Sequence, residues 1–299
     1  FGLTCNMSAC SGGQMPDGMS LVAAADLGSL LNTGTRVGGV AVDLSNNKAY
    51  VSEYQTDVAS SVKVVPLDLA SNGLTAGTAL EISLGQAGTA GFDGLTHNSE
   101  TGNLFGSIAS DQSGNPGFIE FDTSGFAVGT SWTDPTLNNQ NGWPTDCCVN
   151  ISGLGMAMEN SKPILFAATK TSNKDLMMST LAAAATQAQA GQFTNQATFV
   201  DQDPDTGKTY VGVDGSPDQI QVFDSAGAFE SAITTLTTSD VEGGTLVSGV
   251  SGTDNVLWVV DNATQGPTLR KIQLSDGAEL DSIALASYVG EAGGLAHYI

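Results

Sequence analysis

Five stretches of the chain follow one pattern: GGVAVDLSNNKAYVSE from Gly38, DGLTHNSETGNLFGS from Asp93, SGLGMAMENSKPILFAA from Ser152, NQATFVDQDPDTGKTYVGV from Asn195 and GGTLVSGVSGTDNVLWVVD from Gly243. Each runs from a small or polar pair into a short apolar strand, a polar turn and a second strand. That second strand carries an aromatic at a matched place: Tyr50, Phe105, Phe166, Tyr210 and Trp258. The pattern recurs roughly every 45 to 60 residues, the spacing of propeller blades. After the aromatic strand come SSVKVVPLD, PGFIEFD, DQIQVFD and PTLRKIQLSD, which alternate apolar and polar residues as half-buried strands do. TALEISLG, AFESAITTL and AELDSIALAS supply a fourth strand. The helix-friendly run at 176–191 falls in register on the outer strands of the third blade, so a short helix has room there but is not needed.

The two ends of the chain complete each other. GEAGGLAHYI reads as an innermost strand with nothing after it, and FGLTCNMSAC with MSLVAAADLGSL reads as later strands with nothing before them. The expected fold is therefore all-β: one six-bladed β-propeller domain over residues 1–299, its sixth blade split between 1–30 and 291–299, with five or seven blades as the alternatives because the third repeat is long. Pairing the N- and C-terminal strands leaves no open sheet edge. The segment 127–150 is a long loop insertion.

Composition narrows the functional classes. Thirty-one acidic residues against 9 basic ones give a formal net charge of −22. Such a field repels phosphate backbones and attracts cations, so nucleic acid is not an expected partner. No apolar run reaches the length of a membrane span. The chain opens on Phe1, as a mature secreted product would after loss of a targeting segment. Sequons at Asn6, Asn150 and Asn262 and four cysteines fit secretion into an oxidising, extracellular compartment. Distance around a six-fold ring pairs Cys5 with Cys10 and Cys147 with Cys148.

The segment DQDPDTG places carboxylates at Asp201, Asp203 and Asp205, the alternation of an oxygen-ligand calcium loop. The repeats instead make it the hairpin turn that other copies build from LSNN, NSETG, ENSK and SGTDN. Its glycine, Gly207, comes too late for a calcium loop, and Gly212 stands where a bidentate carboxylate belongs. A surface calcium remains the alternative.

The GGVAVDLSNNKAYVSEY and QIQVFDSAGAF stretches resemble six-bladed propellers of the NHL-repeat, YVTN-like and gluconolactonase-like kinds over most of the chain. The resemblance points to the mouth of the central channel, where the repeats align Arg36, Asp93, Ser152, Asn195, Glu242 and Glu291. It implies that Asp93, Asn195, Glu242 and Glu291 hold a divalent cation such as Ca²⁺, with His97 as a base for lactone or ester hydrolysis. Val37-Gly38 stands where that family has an acidic ligand. The plain alternative is that these residues cap turns or are solvated, and that His97 is a turn residue.

In the long loop, Trp132 and Trp143 beside several amides suit a glycan or peptide ligand, or else cover a blade edge. The expected function is an extracellular binding or assembly module, with a glycan, peptide or matrix protein as partner. Two alternatives stand beside it: the calcium-dependent hydrolase, and a self-assembling subunit of a coat or filament.

Overall fold

The computed structural model describes residues 25–32, 36–54, 61–70, 73–83, 89–110, 117–125, 151–159, 162–169, 175–180, 187–192, 195, 197–203, 205–215, 217–234, 240–247, 255–262 and 266–285. These form five antiparallel sheets that follow one another along the chain. The first contains β1 (Arg36–Asp43), β2 (Lys48–Tyr54), β3 (Ser61–Ala70), β4 (Gly73–Ala76) and β5 (Leu80–Ser83). Here β4 pairs with one end of β3 and β5 with the other, so together they fill one outer place. The second sheet contains β6 (Thr89–His97), β7 (Leu104–Ser110) and β8 (Gly117–Phe121). The third runs β9 (Ile151–Glu159), β10 (Lys162–Thr169), β11 (Asp175–Thr180) and β12 (Gln187–Gln192), strands where the alanine-rich run left room for a helix. The fourth runs β13 (Ala197–Gln202), β14 (Thr209–Val213), β15 (Gln219–Phe223) and β16 (Phe229–Ile233). The fifth runs β17 (Val241–Val247), β18 (Val256–Asp261), β19 (Thr268–Gln273) and β20 (Glu279–Ala284).

The sheets are arranged as propeller blades. The first strand of each packs beside the first strand of the next: β1 beside β6, β6 beside β9, β9 beside β13 and β13 beside β17. The count departs from the expected six. Among the described residues four sheets have a blade's full set of strands and the second has three, and most of the residues expected to form the sixth blade lie outside the described ones. Of the segment given to the sixth blade, residues 27–31 form a turn, with Leu30 N and Leu31 N donating to Leu27 O.

Each core sits between two blades. Ala41, Tyr50, Val62, Val64 and Ile82 of the first face Phe92, Leu95, Leu104, Ile119 and Phe121 of the second, with the Phe92 and Phe121 rings stacked 5.7 Å apart. Likewise Phe199, Tyr210, Ile220, Val222 and Ile233 of the fourth blade face Val241, Leu246, Leu257, Val259 and Ile272 of the fifth. This division follows from strand alternation, which sends successive side chains to opposite faces.

The same alternation leaves an apolar face at each end of the series. On the first blade Val40, Val51 and Val65 pair across three strands, away from the second blade, and Leu27 packs on them with Ala25, Leu30 and Leu31 beside it. On the fifth blade Val260, Leu269 and Ile283 pair across three strands on the face opposite Leu257, Val259 and Ile272, and all three are buried.

Candidate functional site: a ring of bulges on the innermost strands

Every first strand breaks its ladder near its start. Two residues oppose one between Val37 and Val40, between Phe92 and Leu95, at Ser152, at Thr198 and at Glu242. A bulge redirects side chains and increases local twist, and such irregularities concentrate beside functional sites. The bulges collect Gly38, Asp93, Ser152, Thr198 and Glu242 at one level of five neighbouring strands.

Two of the six aligned positions therefore shift. Gly38 takes the place expected of Arg36, and Thr198 takes that expected of Asn195, which lies at a bend before β13. The interval from bulge to aromatic strand is the same from Gly38 to Tyr50, from Asp93 to Phe105 and from Thr198 to Tyr210. Thr198 was legible from that interval.

Local chemistry holds the bulges open. In the first blade Ser52 Oγ accepts from Gly39 N at 2.8 Å and lies 3.1 Å from the carbonyl oxygen of Phe92 in the next blade. In the second blade Ser107 Oγ accepts from Gly94 N at 2.6 Å. Both serines stand two residues past the blade aromatic, where the bulge turns a backbone N–H off the ladder. In the fourth blade that place is Gly212, where a β-carbon would lie 2.7 Å from Thr198 Oγ1. The Thr198 hydroxyl oxygen is buried and has no hydrogen-bond partner among the described residues. A buried hydroxyl gains from any acceptor or donor that reaches it.

Around Glu242 the site is acidic. Asp218, fully buried, accepts from Gly215 N at 2.8 Å and from Val241 N at 2.9 Å, tying the fourth blade to the start of β17. Burial pushes its carboxyl up, against those two N–H donors, and Asp214 and Asp261 push it further. Asp240 is raised by burial too, opposed by a hydrogen bond with Glu242 and reinforced by Asp218, Asp214 and Asp261. Asp261 is buried and held by Arg270 at 2.9 Å. This end of the row of bulges favours protons and cations.

The other candidate residues are placed as follows. His97 ends β6, four residues beyond Asp93, or about 13 Å along an extended strand. The fold does not bring His97 to the bulge it was expected to serve. Asp201 Oδ2 accepts from Leu246 N at 2.7 Å, and Asp203 accepts from Asp205 N, Thr206 Oγ1 and Asn255 Nδ2. Both carboxylates thus join the fourth blade to the fifth, while Asp205 is exposed. Among the described residues no three His, Cys, Asp or Glu side chains are grouped so as to hold a metal ion. Asn262 is half-buried, its N–H donating to Asp240 O at 2.8 Å. Cys5, Cys10, Cys147, Cys148, Asn6, Asn150, Trp132, Trp143, Glu291 and the side chains of Asp93 and Ser152 lie outside the described residues.

No protein-family profile matches the chain, and no curated protein matches it. Among the matching solved structures is a chain of "Crystal Structure of Mitotic Checkpoint Complex", at 10% identity and a TM-score of 0.49. The match covers 84% of this chain and 66% of that one, so this chain spans slightly under two thirds of its length. Similarity at that level leaves the propeller assignment resting on the sheets themselves.

Proposed function

We propose that the protein is a secreted, glycosylated, closed six-bladed propeller that binds an extracellular partner, a glycan, peptide or matrix protein, over the ring of bulges at one mouth of its channel. A propeller in general supports a binding or assembly role. The observation that carries the finer reading is the bulge itself, repeated at one place in each of the five described sheets while its residue changes from glycine to aspartate, serine, threonine and glutamate. A purely structural repeat has no need to vary there. Closure is supported by the apolar faces on the first and fifth blades, which residues 1–24 and 286–299 are placed in the chain to cover.

The experiment is binding of the labelled full chain to a glycan array and a matrix-peptide array, alongside a Thr198→Ala/Glu242→Gln variant. A ligand bound by the parent and lost by the variant supports the reading. Binding that ignores both substitutions overturns the site, and no binding on either array overturns the function.

The hydrolase alternative keeps one favourable observation, the oxygen-rich, cation-favouring side of the ring at Glu242, whose donors suit a hard ion such as calcium. It predicts calcium-dependent lactone turnover lost on Glu242→Gln. We expect no turnover. Self-assembly has a different basis: Phe229 and Leu280 are 56% and 49% exposed on the outer strands of adjacent blades. Sedimentation of the parent against a Phe229→Ser/Leu280→Ser variant tests it, and monomer for both discards it.

A further inference from the structure

We propose that His97 and Asp43 form a proton-operated contact between the first and second blades, which controls the turn at residues 44–47. The two side chains end β6 and β1 and are 5% and 1% exposed. His97 Nε2 stands 3.7 Å from Asp43 Oδ2, too far for a hydrogen bond, and has no hydrogen-bond partner among the described residues. The Gly102 backbone favours the charged ring. When Nε2 of the neutral ring carries no hydrogen, its lone pair faces a carboxylate.

Asp43 is already engaged. Its Oδ1 accepts from Ser45 Oγ at 2.6 Å and Asn46 N at 3.2 Å, and its Oδ2 accepts from Asn46 Nδ2 at 2.7 Å. These bonds cap the turn. The fourth blade provides an internal comparison, since Asp203 caps the matching turn. There the neighbouring blade supplies the neutral amide of Asn255, in contact at 3.0 Å. One junction is closed by a permanent donor, the other left open beside a titratable one.

A proton from solvent on Nε2 creates a buried cation, which is costly unless paired. The carboxylate beside it is Asp43. Reaching Nε2 draws Oδ2 from Asn46, so a proton on His97 and the cap on the turn compete. Burial works most strongly against the charged ring, with Asp43 and Gly102 favouring it, and the net effect holds His97 below its ordinary value of 6.5. A depressed histidine keeps its contribution above that ordinary value and loses it as pH falls through the folded value, so the contact acts on the acid side of neutrality. Beyond Asp43 on the first blade lie Tyr50 and the exposed pair Lys48–Asp68. On the second blade Glu100 is exposed and Glu120 holds Asn103, and Glu159 ends β9 of the third.

The test is a pH titration of the full chain by NMR. His97 and His297 are the only histidines, so two imidazole signals are followed with the amides of Ser45, Asn46 and Asn47. The expected result is a His97 midpoint below 6.5, shared by the three turn amides. His97→Asn or His97→Gln removes that midpoint from the turn, and Asp43→Asn lowers the midpoint of His97 further. The proposal is overturned if His97 titrates while the turn stays still, or if it does not titrate between neutrality and the carboxylate range. It is also overturned if the turn keeps its midpoint without the imidazole. The parent titration decides even where a variant does not fold.

Discussion

Gly38 of the first blade lies against the carbonyl oxygen of Phe92 in the second, so closely that a β-carbon at Gly38 would stand 1.9 Å from that oxygen. The neighbour is backbone within a packed strand and cannot turn aside. Gly38→Ala is therefore expected to destabilise the protein by about 1–3 kcal/mol, the cost of overpacking a close-packed interior. Chemical denaturation checks it, and an unchanged midpoint would mean that the two inner strands are not in contact.

Ser52 and Ser107 occupy matching places, and Ser52 also reaches across to the next blade, at Phe92 O. Replacing either with alanine leaves a buried glycine N–H unpaired, at about 1–3 kcal/mol. Ser52→Ala also removes the bond to Phe92 O and is expected to lower the denaturation midpoint. An unchanged midpoint for Ser52→Ala would remove the bridging role.

Asp218 and Asp240 carry raised carboxyls, with burial the first cause in each. A raised folded pKa gives stability that is present below the ordinary carboxylate value and lost as pH rises through the folded value. In a His97→Asn/Asp43→Asn background, which removes the two opposite trends at the first junction, the melting temperature is expected to rise as pH falls from 7 toward the carboxylate range. Asp240→Asn should flatten that slope and raise the melting temperature at pH 7. A steeper slope would contradict the assignment.

The blade pattern was legible because it is written in the backbone's own period. Tyr50, Phe105, Phe166, Tyr210 and Trp258 all fall on the second strand of their blades, opposite Ala41, Thr96, Gly155, Asp201 and Thr245. Alternation every second residue places a strand without knowledge of its neighbours. The site was less legible, since a bulge adds a residue that leaves no mark on composition. Aligning the repeats by sequence brings Arg36 and Asn195 to this level, and the bulges put Gly38 and Thr198 there instead. The contact of His97 with Asp43 was hidden for another reason: the residues belong to different blades, and nothing in either repeat names its partner across the junction.

Closure of the ring is the claim on which the channel mouth depends, and a crystal structure of the full chain tests it most directly. The account predicts residues 293–299 as an innermost strand between β17 and β1, hydrogen-bonded to a strand from residues 1–24, with that blade covering Val260, Leu269 and Ile283 on one side and Val40, Val51 and Val65 on the other. Termini in different blades, or a terminal strand entered into a neighbouring molecule, would contradict it.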